Sequence, residues 1–386
     1  MKKSLLALGV LGAFAGAANA QSSVTLYGIL DAGITYVNNE STPGGTTGSK
    51  NIKFSNGNQQ GNRWGLKGAE DLGGGLKAIF VLENGFRIGD GNLAQGGREF
   101  GRQAYVGLSS ATAGTLTLGR QYDSVVDFVG PLASGSQWAT FSGAHPFDND
   151  NLNNSFRINN SVKYTTANYS GFSASALYGF SNQANTGGGT GFANNRAWSL
   201  GAGYANGPLT LGVGYLYLGT PGANNTGAAG NDFGSFATNL NGITATDKAQ
   251  IVAAGGSYAF GPATVGLVYS HSKYDFVANA GSFKFDNAEI NAKYMLTPAL
   301  QLGAAYTYTW SKATSNGVVL PAGSLSPKYH QVNLGLDYWL SKRTDTYLVG
   351  LWQHANNDAG QAQLNGQPFS ANKNQFAVTA GVRHKF

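Results

Sequence analysis

The sequence predicts an all-β fold: a transmembrane antiparallel β-barrel of about sixteen strands, with short turns at one rim and long loops at the other. Three observations lead there. The composition lies between that of a soluble domain and that of a helical membrane protein. Apolar and polar residues alternate with a period of two along almost the whole chain. The connections between those alternating stretches are themselves short, then long, in turn.

Composition sets the frame. Of 386 residues, 57 are Gly and 10 are Pro, aromatics make up 12% and charged residues 11%. That charge content is less than half that of an ordinary soluble chain. Yet hydrophobic residues reach only 42%, and the mean hydropathy is slightly negative, far below that of a helical bundle in lipid. There is no cysteine, which excludes disulfides, thiol catalysis and thiolate metal sites. The chain opens with Lys2 and Lys3, a short apolar run and the small-residue triplet Ala18-Asn19-Ala20. This pattern predicts a cleaved export signal over residues 1–20, leaving a single barrel domain over 21–386. Removal of Lys2 and Lys3 leaves 23 basic side chains against 19 acidic ones. No later run is apolar over the length a membrane helix needs.

The alternation identifies the strands. Near the start, Val24, Leu26 and Leu30 oppose Thr25, Tyr27 and Asp31. Further on, Leu300, Leu302, Ala304, Tyr306, Tyr308 and Trp310 share one face, against Gln301, Gly303, Thr307 and Thr309. His330, Val332, Leu334, Leu336 and Tyr338 likewise oppose Gln331, Asn333, Gly335 and Asp337. This is strand periodicity, with a lipid-facing side and a wet side. The stretches YANGPLTLG, YAFGPATVG and YMLTPALQLG place an aromatic just before a Pro-containing turn. Tyr204, Tyr258, Tyr294 and Tyr338 thereby form a ring of side chains at one rim, as an interfacial girdle requires. Other tight turns fall at Asp71–Gly75, Ser110–Gly114 and Tyr169–Gly171. The long connections are polar and rich in Gly, Asn, Ser and Thr: Asn38–Gly61, Arg87–Gly97, Asp123–Phe156, Ser181–Asn195, Gly219–Ala245, Asp275–Gly281, Ser311–Pro327 and Asn356–Asn372. Eight long loops and seven turns join sixteen strands. The alternation of Asn374–Phe386 persists to the last residue. This strand is expected to close the ring against the first, with Phe386 on the outer face among the rim aromatics.

The segments SVTLYGILDAG, NRWGLKGAEDLGGGLKAIFVLENGF, GRQAYVGL, GTLTLGRQYD and DNDNLNNSFRINNSVKY, with the terminal Phe, resemble the general porins of Gram-negative outer membranes, in particular their β-proteobacterial branch. The resemblance covers essentially all of 21–386. It implies outer-membrane localisation, a homotrimer among outer-membrane lipid and lipopolysaccharide, a third loop folded into the lumen, and passive diffusion of small hydrophilic solutes and ions. It also implies that Phe386 is read by the outer-membrane assembly machinery. The Pro-Glu-Phe-Gly motif of many relatives' third loop is absent, Gly130-Pro131-Leu132 being the nearest counterpart.

The geometry of such a barrel calls for an internal barrier. Sixteen tilted strands give a backbone radius of roughly 16 Å, too wide to discriminate among nutrients. The longest loop, Asp123–Phe156, carries Phe128, Trp138, Phe141 and Phe147, rings that would pack on the inner wall. This loop is the expected constriction. Its carboxylates Asp123, Asp127, Asp148 and Asp150, with Glu83 on the wall, are the expected pore acids. Arg63, Lys67, Arg102, Arg157 and Lys163 are the expected basic wall, because a cation on the lipid face near the midplane would cost about 2–4 kcal/mol. In this reading Tyr105 lies on the lipid side, opposite Arg102. Arg120 shares parity with Leu116 and Leu118. It is placed in the lumen through the resemblance, with a bulge or strand end expected there. Cations facing carboxylates across a gap would produce a transverse field, and the basic excess suggests a weak anion preference. No cofactor or metal is expected, since the five histidines show no ligand spacing. No catalytic constellation stands out, so an enzyme is not expected. With no Lys/Arg cluster, nucleic acid is not an expected partner. A substrate-specific channel and a plugged structural or adhesin barrel are the alternatives.

Overall fold

Alternation becomes architecture in a computed structural model, which describes residues 23–184, 191–223, 226–230, 232–233, 246–318 and 322–386. The leader expected over 1–20 lies outside the described residues.

The wall consists of sixteen strands in one antiparallel sheet. They are β1 (Ser23–Ser41), β2 (Ser49–Asn56 and Arg63–Gly73), β3 (Leu76–Gly85), β4 (Gln103–Ser110), β5 (Gly114–Gln121), β6 (Ile158–Thr165), β7 (Phe172–Gly179) and β8 (Arg196–Asn206). The second half comprises β9 (Leu209–Gly219), β10 (Thr246–Phe260), β11 (Ala263–Phe276), β12 (Gly281–Thr297) and β13 (Leu300–Ser315). It ends with β14 (Gly323–Leu325 and Pro327–Trp339), β15 (Thr344–Asn357) and β16 (Phe369–Ser370 and Asn374–Lys385). Each strand pairs with its sequence neighbours, and β1 pairs with β16 from Ile29↔Lys385 to Val37↔Ala377. Beyond this ladder, Gly28 and Phe386 exchange backbone hydrogen bonds of 3.0 and 3.1 Å. The ring is therefore closed and has no free edge.

The outward row is apolar and exposed, as in Ile34, Ile52, Phe54, Val106, Leu200, Val213, Ile290 and Leu334. Tyr258, Tyr294 and Tyr338 lie outward at the short-turn rim, where the girdle is expected. The inward row is polar or small. Period two works because water and lipid each solvate one face of a single layer, which leaves no third layer to fill.

Several expected loops are shorter than the sequence suggests; Ser311–Pro327, for one, is strand up to Ser315 and again from Gly323. Half of Asn38–Gly61 is wall: β1 continues to Ser41 and β2 begins at Ser49, so residues 42–48 alone link them. Residues 57–62 are a mid-wall excursion into the lumen instead. Asp31 Oδ2 accepts the backbone N–H groups of Gln59 and Gln60, both at 2.8 Å, and holds the excursion in place. Asp275–Gly281 contracts to a single turn of 3₁₀ helix at Val277–Asn279. Polar residues that read as loop are in fact the upper, solvated ends of long strands.

Candidate functional site

The third long loop is built to lie against the inner wall. Its first helix, α1 (Ser124–Phe128), is capped by Asp123, whose carboxylate accepts the N–H groups of Val125 and Val126. α1 sits in a trough of glycines on the inner faces of β8 and β9. A β-carbon at Gly201 would stand 2.8 Å from the Phe128 ring, and one at Gly214 would stand 2.7 Å from Val125 Cα. Farther along the loop, helix α2 (Ser134–Gln137) leads to Trp138, whose ring covers Gly303 and Gly335. Phe147 packs edge-on against Tyr329 and Phe285.

Polar anchors complete the attachment. Glu289 on β12 accepts the Ser134 N–H at 2.8 Å and the Ser134 hydroxyl at 2.7 Å. Gln331 and Asn333 on β14 donate to the carbonyls of Ala144 and Gly143 at 2.9 and 2.8 Å. His145 is fully enclosed, with Nδ1 2.6 Å from Asp150 and Nε2 3.5 Å from Glu289. Burial opposes a charge there, but the two carboxylates outweigh it and push the imidazole up to about 10. The two carboxylates thus favour the charged imidazole between loop and wall.

Between the loop and the wall that carries the 57–62 excursion remains an open space of about 750 Å³. Arg63, Arg102 and Arg157 line it, with Asp127, Asp232 and Tyr122. Arg102 donates through Nε to Glu83 at 2.7 Å and through Nη2 to the Tyr122 hydroxyl at 3.1 Å. Glu83 also accepts from Tyr27 at 2.9 Å and lies 3.9 Å from Arg63. The Arg157 guanidinium lies 5.7 Å from the centre of the Tyr122 ring, and its Nε has no hydrogen-bond partner. Lys163 is ion-paired to Asp127 and donates to the Tyr122 carbonyl at 2.9 Å. Arg120 Nη2 holds Asp232 at 2.6 Å. Six basic groups (Arg98 is the sixth, 3.7 Å from Asp232) face three acids, Glu83, Asp127 and Asp232.

A closed wall, an inward-folded loop and a basic aperture are the parts of a diffusion channel, and comparison with known proteins agrees. The family model for Gram-negative porins matches residues 7–359. The chain belongs to the Gram-negative porin family. This porin is 34% identical to an outer membrane porin protein of Bordetella pertussis and 32% identical to outer membrane porin protein 32 of Delftia acidovorans, over the full length of both chains in each case. Among solved structures it resembles an anion-selective porin from Comamonas acidovorans, at 26% identity and a TM-score of 0.70 over 95% of this chain and all of that one. OmpT of Vibrio cholerae, at 16% identity and a TM-score of 0.64 over 95% of this chain and 98% of that one, shares the fold. The chain is accordingly an outer-membrane channel protein.

Within this porin the expected site residues divide. Arg63, Glu83, Arg102, Asp127 and Arg157 meet at the aperture, and Lys163 reaches it through Asp127. Lys67 faces the lumen over the Tyr27 ring at 5.3 Å, nearer the short-turn rim. Asp123, Asp148 and Asp150 do not face the gap; each is fully buried. A loop packed on a wall must satisfy its own backbone, and these carboxylates do that work. Asp123 caps α1, Asp148 accepts from Asn153 N–H and the Ser155 hydroxyl at 2.9 and 2.7 Å, and Asp150 binds His145. Burial pushes Asp123 up to about 6, and burial with the Asp150 charge pushes Asp148 up to about 7.

Tyr105 faces inward, since Val106 and Leu108 are the exposed residues of β4. Arg102 precedes the first residue of β4, so the strand's parity does not govern it. Arg120 turns inward at a register slip between Gly119 and Gln121. Sequence reasoning missed Asp232, which sits in a loop with no periodicity. It also missed the pairing of His145 with Asp150 and Glu289, because one partner lies on a distant strand.

Proposed function

We propose that the aperture between residues 57–63 and loop 123–156 is the constriction of a water-filled channel for small hydrophilic solutes, with a preference for anions. The carrying observation is the charge balance at that aperture. Three of the third loop's four acids are buried elsewhere, and of the charged groups that line the open space three are arginines, Arg63, Arg102 and Arg157, against Asp127 and Asp232. An entering anion meets the half-buried Arg63, with Arg102 and the largely buried Arg157 lining the same space, where field strength and local ion concentration favour it. The transverse field is then weaker than four facing carboxylates would give. It runs from the arginines towards Asp127. The similar Comamonas acidovorans protein is an anion-selective porin, which supports the same direction.

The test is the reversal potential in planar bilayers under a salt gradient. The native channel should favour chloride. The pair Arg63→Glu and Arg157→Glu should bring the potential to zero or beyond it towards cations. An unchanged potential would remove these residues from the filter. Liposome swelling should fall smoothly with sugar size, whereas saturation by one sugar would mark a substrate-specific channel. The same reading includes a cleaved leader over 1–20, a homotrimer, lipopolysaccharide among its lipid contacts, and Phe386 as the residue met by the assembly machinery.

A further inference from the structure

The tall side of the wall carries an arrangement that a strand ladder ordinarily avoids. On β11, β12 and β13, Lys273, Lys284 and Lys312 stand directly opposite one another, through the pairs Lys273↔Lys284 and Lys284↔Lys312. Lys328 on β14 lies opposite Trp310, diagonal to Lys312. Like charges in register destabilise a sheet, and here three strands repeat them. Lys273 has a partner in Asp275 at 2.7 Å. Lys284, Lys312 and Lys328 have no ion pair or hydrogen bond among the described residues. They lie on the outer face, in the outward row that includes Ile290 and Trp310.

Their height is informative. Lys284 stands ten residues along β12 from Tyr294, the girdle residue at the short-turn rim. At the usual strand rise and tilt this is about 25 Å along the barrel axis, the height of the apolar band of such a barrel. Directly below the lysines lie His271, Asp286 and Trp310, with Asp286 held by His271 at 2.8 Å and by the Tyr269 hydroxyl at 2.7 Å, and with the Tyr308 and Tyr269 rings beside Trp310 at 5.6 and 6.4 Å. The lysines therefore sit just above the long-loop-side girdle, at the level of lipid headgroups. A charge on the lipid-facing surface at this level meets headgroups, not the channel.

We propose that Lys284, Lys312 and Lys328, with Lys273 at the edge, form a docking site for a phosphorylated glycolipid of the outer leaflet. The phosphates bridge the lysine row and the acyl chains lie on the apolar face below. This rests on the reading that lipopolysaccharide contacts the barrel, and it assigns the contact to β11–β14. A bridging phosphate accounts for the row, because it turns mutual repulsion into shared attraction.

The test is native mass spectrometry of the intact protein with diphosphorylated lipid A, comparing native protein with the triple variant Lys284→Gln, Lys312→Gln and Lys328→Gln. Three lysines near an anionic headgroup support a loss of about a hundredfold in affinity. The triple Lys→Arg variant should bind as the native protein does. Single-channel conductance should stay unchanged, which separates this site from the pore. Equal lipid binding by native and Gln variants would overturn the site while leaving lipopolysaccharide contact elsewhere. No lipid bound by native protein would overturn both. Displacement of the lipid by millimolar inorganic phosphate, or loss of oligomer with lipid binding intact, would also overturn the assignment.

Discussion

Asp127 is the third long loop's carboxylate at the aperture, and burial raises its pKa while the Lys163 ammonium works against that. Asp127→Asn would free Lys163 and add one uncompensated positive charge. The chloride preference in bilayer recordings should increase, in the direction opposite to that of the arginine variants. His145 gives a second test. Its pKa, raised from 6.5 to about 10, means that its charge stabilises the packed loop fully below about pH 6.5. That contribution is lost as pH rises through about 10. Asp150, depressed below its ordinary 3.8, contributes above that value and is lost as pH falls through its lower folded pKa. Conductance should therefore change as pH rises through about 10, and that alkaline step should vanish in His145→Gln. Removing the imidazole altogether should cost about 3–5 kcal/mol, because two buried carboxylates lose their cation. Parity made Arg63, Glu83 and Lys163 legible, since each lies in regular strand. Arg102 and Arg120 follow no parity, one preceding its strand and the other at a slip. Nothing in a single sequence separates a carboxylate that caps a helix inside a loop from one that faces water.

At the scale of elements, the strands were legible because alternation is enforced by two solvents. Loop lengths were less so, since the upper strands and the true loops share a polar vocabulary. The glycine trough was not legible. Gly201, Gly203, Gly212 and Gly214 occupy inward positions of β8 and β9, where an unadorned surface lets α1 lie flat. A glycine in a strand signals close approach without naming what approaches. Gly214→Val should lift α1 from the wall, with the barrel intact by circular dichroism. We expect larger and noisier single-channel conductance. Unchanged traces would mean that the trough does not set the loop's position.

For the whole molecule, the period, the sixteen strands and the girdle were all readable in advance, and the closing seam followed from the need to abolish an edge. The Phe386 ring lies over Gly28, where a β-carbon would clash with it. Phe386→Ala should cost about 1–2 kcal/mol for a half-exposed ring, read as a lower midpoint for heat conversion of the folded band in detergent gels. The seam has one more consequence. Thr35 on β1 meets Thr379 on β16 at 2.9 Å, so these contacts join positions separated by nearly the entire polypeptide. They cannot exist while synthesis is under way, and loop-closure entropy makes them late and slow. A fragment stopped before β16 would present two bare ladders to any neighbour. Completion of the circle thus acts as an all-or-nothing inspection, in which a truncated copy announces itself by its stickiness.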